Sequence, residues 1–269
     1  INADEIIINK GALAIDSDFE NPYPNFDGTH LNFFGINASI KNVFVSEKEI
    51  KAIISLSAKE RSGLVVKKLN TSFTFNPSIM EFSNLDLLTN RSRIGNYYAM
   101  KFTNFNEDFN NYNSNVVMIA NIKESTIHTD DITFFAPAMS MFKTKAQISG
   151  KYTGTVADFT VNQLQIRTGS NSILTGTFSM KGLPAIKTTQ ITLQKGFAQS
   201  NYKDLAQLIP SIQNIQSPSI ASLGTILYRG DFKGTAFDFV TKGVFSTALG
   251  GINTDINLKL PQKGEASYK

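Results

Sequence analysis

The sequence predicts an all-β protein built from antiparallel strands that are joined by short turns. Apolar and polar residues alternate with a period of two over several long stretches, which is typical of strands with one buried face. Turn-forming clusters such as Arg61-Ser62-Gly63 and Gly250-Gly251 separate these stretches. Charged residues make up only 18% of the chain, and Asn, Ser and Thr occupy polar positions where a soluble helical protein normally carries Glu, Lys and Arg.

The clearest alternation begins at Ile252 and ends before Pro261, with Asn253, Asp255 and Asn257 at the polar positions. The same pattern occurs over residues 148–156 and 174–180, and less strictly over residues 52–58 and 71–75. Each stretch predicts a strand with one apolar and one polar face. The residues predicted to form the apolar face are Ile54, Leu56, Phe73, Phe75, Ile148, Tyr152, Val156, Leu174, Phe178, Met180, Tyr228, Phe232, Ile252, Ile256, Leu258 and Leu260.

An internal repeat divides the chain. Residues 150–159 read GKYTGTVADF and residues 230–239 read GDFKGTAFDF, an offset of 80 residues. Between the copies, residues 201–209 have an N-cap candidate in Asn201 and helical apolar spacing, which predicts one short helix that ends before Pro210. We therefore predict one continuous structure with an upstream segment 1–147, a module 148–224 with a helix-bearing connection, and the start of the next module at 225–269.

The Asn-rich segment 104–115 interrupts the strand pattern, and we expect an irregular or mobile loop there. Elsewhere the sequence favours strands that cannot bury their apolar faces alone. Two sheets that pack together, one sheet curled into a trough, or strands closed into a barrel would each solve that problem. The alternation pattern does not choose between them.

Few residues carry recognisable chemistry. The chain has no Cys and only two His, which leaves no thiol chemistry and little basis for histidine catalysis or a multi-histidine metal site. The cluster His128-Thr129-Asp130-Asp131 offers an imidazole and two carboxylates, but it also has the composition of a polar turn. Arg91 and Arg93 could hold a phosphate, but two Arg residues at alternate strand positions more often share a solvated face. We therefore predict a protein that is not an enzyme and that has no cofactor and no metal.

Length and charge exclude further classes. The net charge is +4 in 269 residues, and the basic residues never cluster as nucleic-acid binding requires. No apolar run approaches the ~18 residues that a membrane-spanning helix needs, and the first ten residues lack the pattern of a leader peptide. Because the chain begins and ends within strand-like sequence, we expect it to be an internal fragment of a longer protein.

Several segments in order resemble the TamB and AsmA-like envelope proteins of Bacteroidota. They are ERSGLVVKKLNTSFTFNPSIMEFSNLDLLTNRSRI at 60–94, STIHTDDITFFAPAM at 125–139, ISGKYTGTVADFTVNQLQIRTGSNSILTGTFSMKGLP at 148–184 and LGTILYRGDFKGTAFDFVTKGVFSTALGGINTDINLKLP at 223–261. The resemblance covers most of the chain from about residue 45, and it depends on the order and the amino-acid sequences of several segments rather than on a single motif.

The resemblance implies a periplasmic β-structure curled into a hydrophobic groove, the repeating-β-groove or β-taco architecture. It implies a parent protein that is anchored in the inner membrane by an N-terminal helix and that meets an Omp85-type outer-membrane barrel at its C-terminus. It further implies phospholipid transport between the membranes as part of outer-membrane biogenesis. The apolar residues above would then line the lipid groove, with acyl chains against them.

Two other functions are compatible with the same sequence. A scaffold or chaperone for outer-membrane protein assembly would bind through exposed strand edges, by β-augmentation. A surface module with a closed β-sandwich would use the apolar face as its own core. A closed core would indicate the surface module, whereas an open trough would indicate one of the first two functions.

Overall fold

The computed structural model describes residues 1–16, 21–141, 143–208, 212–213, 219–235, 237–259 and 267–268. Most of these residues are in β-strands, which confirms the predicted all-β class. The chain forms two compact units. Unit 1 contains residues 1–106 and 121–145, and unit 2 contains residues 107–120 and 146–269. The predicted position of Leu260 lies outside the described residues.

Unit 1 is an antiparallel meander in which each strand pairs with the next one along the chain. Short connections between consecutive strands are the simplest antiparallel topology. Strand β1 has a partner on one side only, β2, among the described residues. The strands are β1 (Asn2–Ile15), β2 (Leu31–Val45), β3 (Ile50–Glu60), β4 (Val65–Asn76), β5 (Ile79–Leu88), β6 (Arg93–Lys101) and β7 (Val117–His128), of which residues 121–128 belong to unit 1.

Unit 2 repeats this antiparallel order with seven main strands. A short strand, β15 (Ser267–Tyr268), pairs with the end of the last main strand at Leu258 and Lys259. The main strands are β8 (Lys145–Gly154), β9 (Asp158–Thr168), β10 (Ser172–Lys181), β11 (Gln190–Asn201), β12 (Thr225–Gly234), β13 (Asp238–Thr247) and β14 (Gly250–Lys259).

The predicted short helix is confirmed as α4 (Tyr202–Leu208). Asn201 caps it, because its Oδ1 accepts a hydrogen bond of 2.9 Å from the Asp204 backbone N–H. Residue 209 and Pro210, where the predicted helix ends, lie outside the described residues.

The Asn-rich segment is more regular than expected. Instead of an irregular loop, it contains two short helices, α1 (Phe105–Asn110) and α2 (Tyr112–Asn115). Its aromatic residues supply the packing, since the Phe105 ring lies edge-on to Phe75 at 5.7 Å between centroids, and Phe109 contacts Tyr112. A further short helix, α3 (Thr129–Ile132), includes the Asp130-Asp131 pair.

Bulges recur along the strands and bend them. Six polar residues within strands have φ between 46° and 54°, a left-handed conformation that marks the first residue of one class of bulge. Each is the third residue of a four-residue pattern: an apolar residue, two polar residues, then an apolar or small residue. Because a bulge adds one residue, the inward face switches between odd and even positions there. The six residues are Lys10, Asn42, Asn84, Glu124, Gln163 and Lys195.

The 80-residue repeat corresponds to two equivalent β-hairpins, β8–β9 and β12–β13. In the first, the Thr155 N–H donates to the Asp158 carbonyl at 2.9 Å, and the Asp158 N–H donates to Thr155 Oγ1 at 3.0 Å. Thr235 and Asp238 make the same two bonds at 2.7 and 3.1 Å. The recurring Thr therefore closes the turn through its backbone N–H and its hydroxyl, a common use of this side chain, and the recurring Asp contributes its backbone N–H and carbonyl.

A buried aspartate closes one hairpin in each unit. In unit 2, Asp204 from α4 accepts hydrogen bonds from the backbone N–H groups of Ser170 and Asn171 and from the Ser172 hydroxyl, at 2.8–3.0 Å. Burial alone would raise the pKa of this carboxyl, but the hydrogen bonds outweigh burial and lower the pKa to about 2. Asp204 therefore holds the β9–β10 turn as a carboxylate.

Asp131 from α3 has the same role in unit 1. Its Oδ2 accepts from the Thr89 hydroxyl at 2.5 Å and from the backbone N–H groups of Arg91 and Ser92 at 3.0 and 2.8 Å. Burial opposes ionisation, yet these donors lower the pKa of the carboxyl. Its second oxygen, Oδ1, is buried without a hydrogen-bond partner. Both aspartates are third residues of their helices, so a strand followed by a short capping helix is a repeated building element.

Candidate functional site

The strongest candidate site is an apolar face of unit 2, which we call the unit 2 face. Directly opposed residues of antiparallel strands project to the same side of a sheet, so the strand register defines three rows of side chains on this face. The first row is Ile148, Ile166, Leu174, Ala198, Tyr228, Phe245 and Ile252; the middle row is Tyr152, Val161, Phe178, Leu193, Phe232, Thr241 and Ile256; the last row is Phe159, Met180, Ile191, Phe239 and Leu258.

The face crosses seven strands without a charged side chain in any of the three rows. With neighbouring strands about 4.8 Å apart, six spacings extend about 29 Å. Aromatic pairs connect adjacent strands, with ring centroids 4.8 Å apart for Tyr152 and Phe159 and 5.0 Å apart for Phe232 and Phe239. The two copies of the repeat therefore place an equivalent aromatic pair on the same face.

A line of glycines lies between the first and middle rows. It allows large side chains to lie flat on the sheet. A Cβ at Gly230 would lie 2.7 Å from the Tyr228 hydroxyl, and one at Gly243 would lie 2.9 Å from the Tyr228 ring. Leu193 similarly covers Gly196, and both Leu193 and Tyr228 are buried. The glycines on this line are Gly150, Gly176, Gly196, Gly230 and Gly243.

The hydroxyl groups on the face have partners within the protein. The Tyr152 hydroxyl donates to the Thr155 carbonyl at 2.8 Å, and the Tyr228 hydroxyl lies 2.8 Å from the Asp231 carbonyl and 2.6 Å from Thr241 Oγ1. Thr254 Oγ1 donates to the Gly243 carbonyl at 3.1 Å. A polar group costs free energy in an apolar environment unless it has a hydrogen-bond partner. Because each of these hydroxyls has one, the face is compatible with contact to hydrocarbon.

Apart from the buried Leu193 and Tyr228, the large apolar side chains of the rows are half-buried or exposed. Phe178, Phe232 and Leu258 are half-buried, whereas Ile256 is 37% and Ile252 66% exposed. Among the described residues, Val116 is the only large hydrophobic side chain that is less than 2% exposed. A second sheet packed on the face would bury these side chains as a dry core.

Unit 1 carries a comparable face. Phe73 opposes Ala52 and Phe82, Phe75 opposes Ile50 and Met80, and the Phe73 and Phe82 rings are 5.3 Å apart. Ile54 and Leu56 project to the same side of β3 as Ala52. On the edge strand β1 this face includes Ile6 and Leu13, which are 42% and 51% exposed. The apolar face of unit 1 thus continues onto β1, which has one strand partner among the described residues.

The structure groups most of the predicted apolar residues by unit. Ile54, Leu56, Phe73 and Phe75 share the unit 1 face. Ten others occupy the rows of the unit 2 face: Ile148, Tyr152, Leu174, Phe178, Met180, Tyr228, Phe232, Ile252, Ile256 and Leu258. Their role as a lipid lining stays a prediction.

Val156 is placed differently from the alternation pattern. β8 ends at Gly154, and the Thr155–Asp158 turn contains Val156, so this residue belongs to the turn rather than to a strand row. The strand pattern fails here because the repeated Thr and Asp impose a turn directly after Gly154.

Sequence reasoning missed the rows' members on β9 and β11. Val161 and Leu164 are three residues apart and so fail a period-two test, yet the bulge at Gln163 brings both onto the face. Leu193 and Gly196 are related in the same way through Lys195. The sequence signal for such a bulge is a pair of adjacent polar residues between apolar or small residues, as in Val161-Asn162-Gln163-Leu164.

The polar clusters singled out in the sequence form hydrogen bonds and ion pairs within unit 1. His128 Nδ1 accepts from the Asp130 N–H at 3.2 Å, and Asp130 pairs with Arg91 and Lys143 at 2.6 and 2.8 Å. Arg93 pairs with Asp86 at 3.0 Å. The described residues contain no group of three or more side chains arranged to hold a metal ion.

Comparison of the chain with protein-family models, curated proteins and solved structures gives no match. The resemblance to TamB and AsmA-like proteins therefore stays a prediction. None of the helices in the described part of the chain is long and apolar enough to cross a membrane.

Proposed function

We propose that this chain is a non-enzymatic, periplasmic part of a TamB-like bridge that conducts phospholipid between the inner and outer membranes. The observation that carries the proposal is the unit 2 face, which is apolar over seven strands, has no charged side chain in its rows, and leaves most of its large apolar side chains half-buried or exposed. Acyl chains would lie against the three rows, and head groups would stay at the open side. The resemblance supplies the partners: the inner membrane at one end and an Omp85-type barrel at the other.

Energetics support an extended apolar surface for this task. Each CH₂ group left in water costs about 0.8 kcal/mol, so a lipid moving between membranes needs apolar contact along its whole route. The hydrocarbon core of a bilayer is about 30 Å thick, so one acyl chain spans roughly 15 Å. The ~29 Å extent of the face corresponds to about two acyl chains end to end.

Site-specific photocrosslinking would test where lipid lies. A photoreactive amino acid at Phe178 or Ile256 should capture phospholipid, because both side chains belong to the middle row. The same probe at the adjacent Thr177 or Asn257 is the matched control, since these positions project to the opposite side of the same strands. Capture at Thr177 and Asn257 without capture at Phe178 and Ile256 would contradict the proposal.

A second candidate function is β-augmentation of client strands during outer-membrane protein assembly, and one observation favours it. Strand β1 is 14 residues long and has a single partner among the described residues. Ile7, on the polar side of this edge strand, is 63% exposed. Long edges with exposed apolar residues are templates for strand addition.

The two functions respond differently to substitution. Ile256→Asp places a charge on the unit 2 face and should abolish lipid capture, whereas it leaves the β1 edge unchanged. Ile7→Lys places a charge on the exposed edge strand and disfavours strand addition. A client-strand binding defect in Ile7→Lys with normal behaviour of Ile256→Asp would favour the second function over the first.

A further inference from the structure

The unit 2 face offers a bound molecule apolar contact and very little else. The three rows contain no charged side chain. The hydroxyls of Tyr152, Tyr228 and Thr254 already bond backbone carbonyls, and Thr241 Oγ1 lies 3.2 Å from the Asp231 carbonyl. A protein site that recognises a lipid head group needs hydrogen-bond donors or charged side chains that are free to bind it and are held at fixed positions.

The charged residues that directly precede or follow members of the last row pair with one another. Lys181 lies 3.1 Å from Asp158, and Lys259 lies 3.9 Å from Asp238. At the other end, the Asp204 carboxylate is buried and accepts from the β9–β10 turn. Among the described residues, neither end of the rows therefore presents a built site for a phosphate or an amine.

We propose that the unit 2 face selects its ligands by hydrocarbon chain alone and is indifferent to the head group. This inference rests on the proposed function, which it deepens by widening the ligand class from phospholipids to long-chain amphiphiles in general. Anionic, zwitterionic and uncharged amphiphiles with the same chain bind equally. Affinity instead depends on the number of CH₂ groups that contact the rows.

The expected chain-length dependence follows from partial burial. A fully buried CH₂ group changes affinity about fourfold. Because residues such as Phe178 and Leu258 are only half-buried, a chain on this face contacts protein on one side. We therefore expect about a twofold gain in affinity for each added CH₂.

Competition binding with single-chain amphiphiles tests the inference. The purified chain would be loaded with a fluorescent polyene fatty acid, which is then displaced by phosphoglycerol, phosphocholine and uncharged glycerol amphiphiles of equal chain length. The expected result is that the three affinities agree within about fivefold, the effect of one ordinary hydrogen bond. A parallel series of chain lengths should show the twofold increment per CH₂.

An engineered charge calibrates the measurement. Ile252→Arg adds a cation at an exposed position of the first row, and Asn253→Arg adds one on the opposite side of the same strand. Ile252→Arg should create a preference of about fivefold for the anionic amphiphile, and Asn253→Arg should not. This pair shows that the assay detects head-group selection when a group for it exists.

The outcomes separate this inference from the proposed function. A head-group preference above fivefold at constant chain length overturns chain-only selection but leaves a lipid-binding face. Failure of all three amphiphiles to displace the probe, or probe binding that Ile256→Asp does not weaken, overturns the proposed function and this inference together.

Discussion

The two units share the way in which a hairpin turn is capped, but they differ in the residues beside their bulges. Each closes one hairpin with an aspartate from a short helix, but Asp204 has hydrogen bonds to both carboxylate oxygens, whereas Asp131 leaves Oδ1 without a partner. Beside their bulges the two units differ. Unit 2 has a line of glycines covered by Leu193 and Tyr228, whereas in unit 1 the inward Thr71 opposes Ile54, and its hydroxyl donates to the Ser83 carbonyl at 2.9 Å.

The difference shows which features the architecture requires. A buried aspartate at a hairpin turn is present in both units, whereas the line of glycines belongs to unit 2. A glycine line tolerates no side chain because its neighbours already occupy the space. At Thr71 in unit 1, by contrast, a buried side chain contributes one hydrogen bond. Unit 2 should therefore be the more sensitive of the two to single substitutions.

Gly230→Ala should have the largest effect. Its Cβ would collide with the Lys242 carbonyl oxygen and lie 2.5 Å from the Gly243 Cα, so backbone must shift at the β12–β13 pair. We expect a loss of about 3 kcal/mol or more in the local free energy of unfolding, measured as faster hydrogen–deuterium exchange of β12 and β13 amides.

Gly251→Ala is the matched control on β14. The nearest atom to its Cβ would be the Phe245 carbonyl oxygen at 3.5 Å, an ordinary contact. Exchange rates within about 0.5 kcal/mol of wild type are expected. Equal effects of the two substitutions would show that the glycine line is not a packing requirement.

Asp204→Ala and Asp131→Ala compare the two hairpin caps directly. Removing Asp204 leaves the Ser170, Asn171 and Ser172 donors without their acceptor, for an expected cost of about 2–4 kcal/mol. Asp131→Ala also removes a buried oxygen that has no partner, which offsets part of the loss, so we expect about 1–2 kcal/mol. Hydrogen exchange at the β9–β10 and β5–β6 turns measures each. A larger effect at Asp131 would overturn the ranking.

Acid should weaken the unit 2 cap in a defined pH range. Because the pKa of Asp204 in the folded protein is about 2, below its ordinary value of 3.8, the carboxylate contributes stability that is complete above the ordinary value. That contribution, about 2 kcal/mol, is lost as the pH falls towards 2. Asp204→Asn should show no such step at the β9–β10 turn in hydrogen exchange between about pH 5 and pH 2. A step of equal size in the variant would assign it to other carboxyls.

The sequence predicted the strand class and much of the apolar face, and the reasons for the rest are local and physical. Alternation on β10 and β14 identifies Phe178 and Ile256 because no extra residue interrupts those strands on the face. On β9 the bulge at Gln163 shifts the period, which hides Val161 or Leu164 from a test for alternation. The caps were beyond sequence reasoning, since Asp204 bonds Ser170 across 34 residues and Asp131 bonds Ser92 across 39.

Thr71→Val should have the smallest effect and completes the comparison. The substitution keeps the β-branched shape and removes a hydroxyl that donates to the Ser83 carbonyl at 2.9 Å. Since Thr71 is buried, the carbonyl loses a partner, but the Ser83 region keeps its ladder bonds to β6. We expect a loss of about 1 kcal/mol, seen as faster exchange at β4 and β5. A cost as large as that of Gly230→Ala would mean that the Thr71 position of unit 1 is as intolerant of substitution as the glycine line of unit 2.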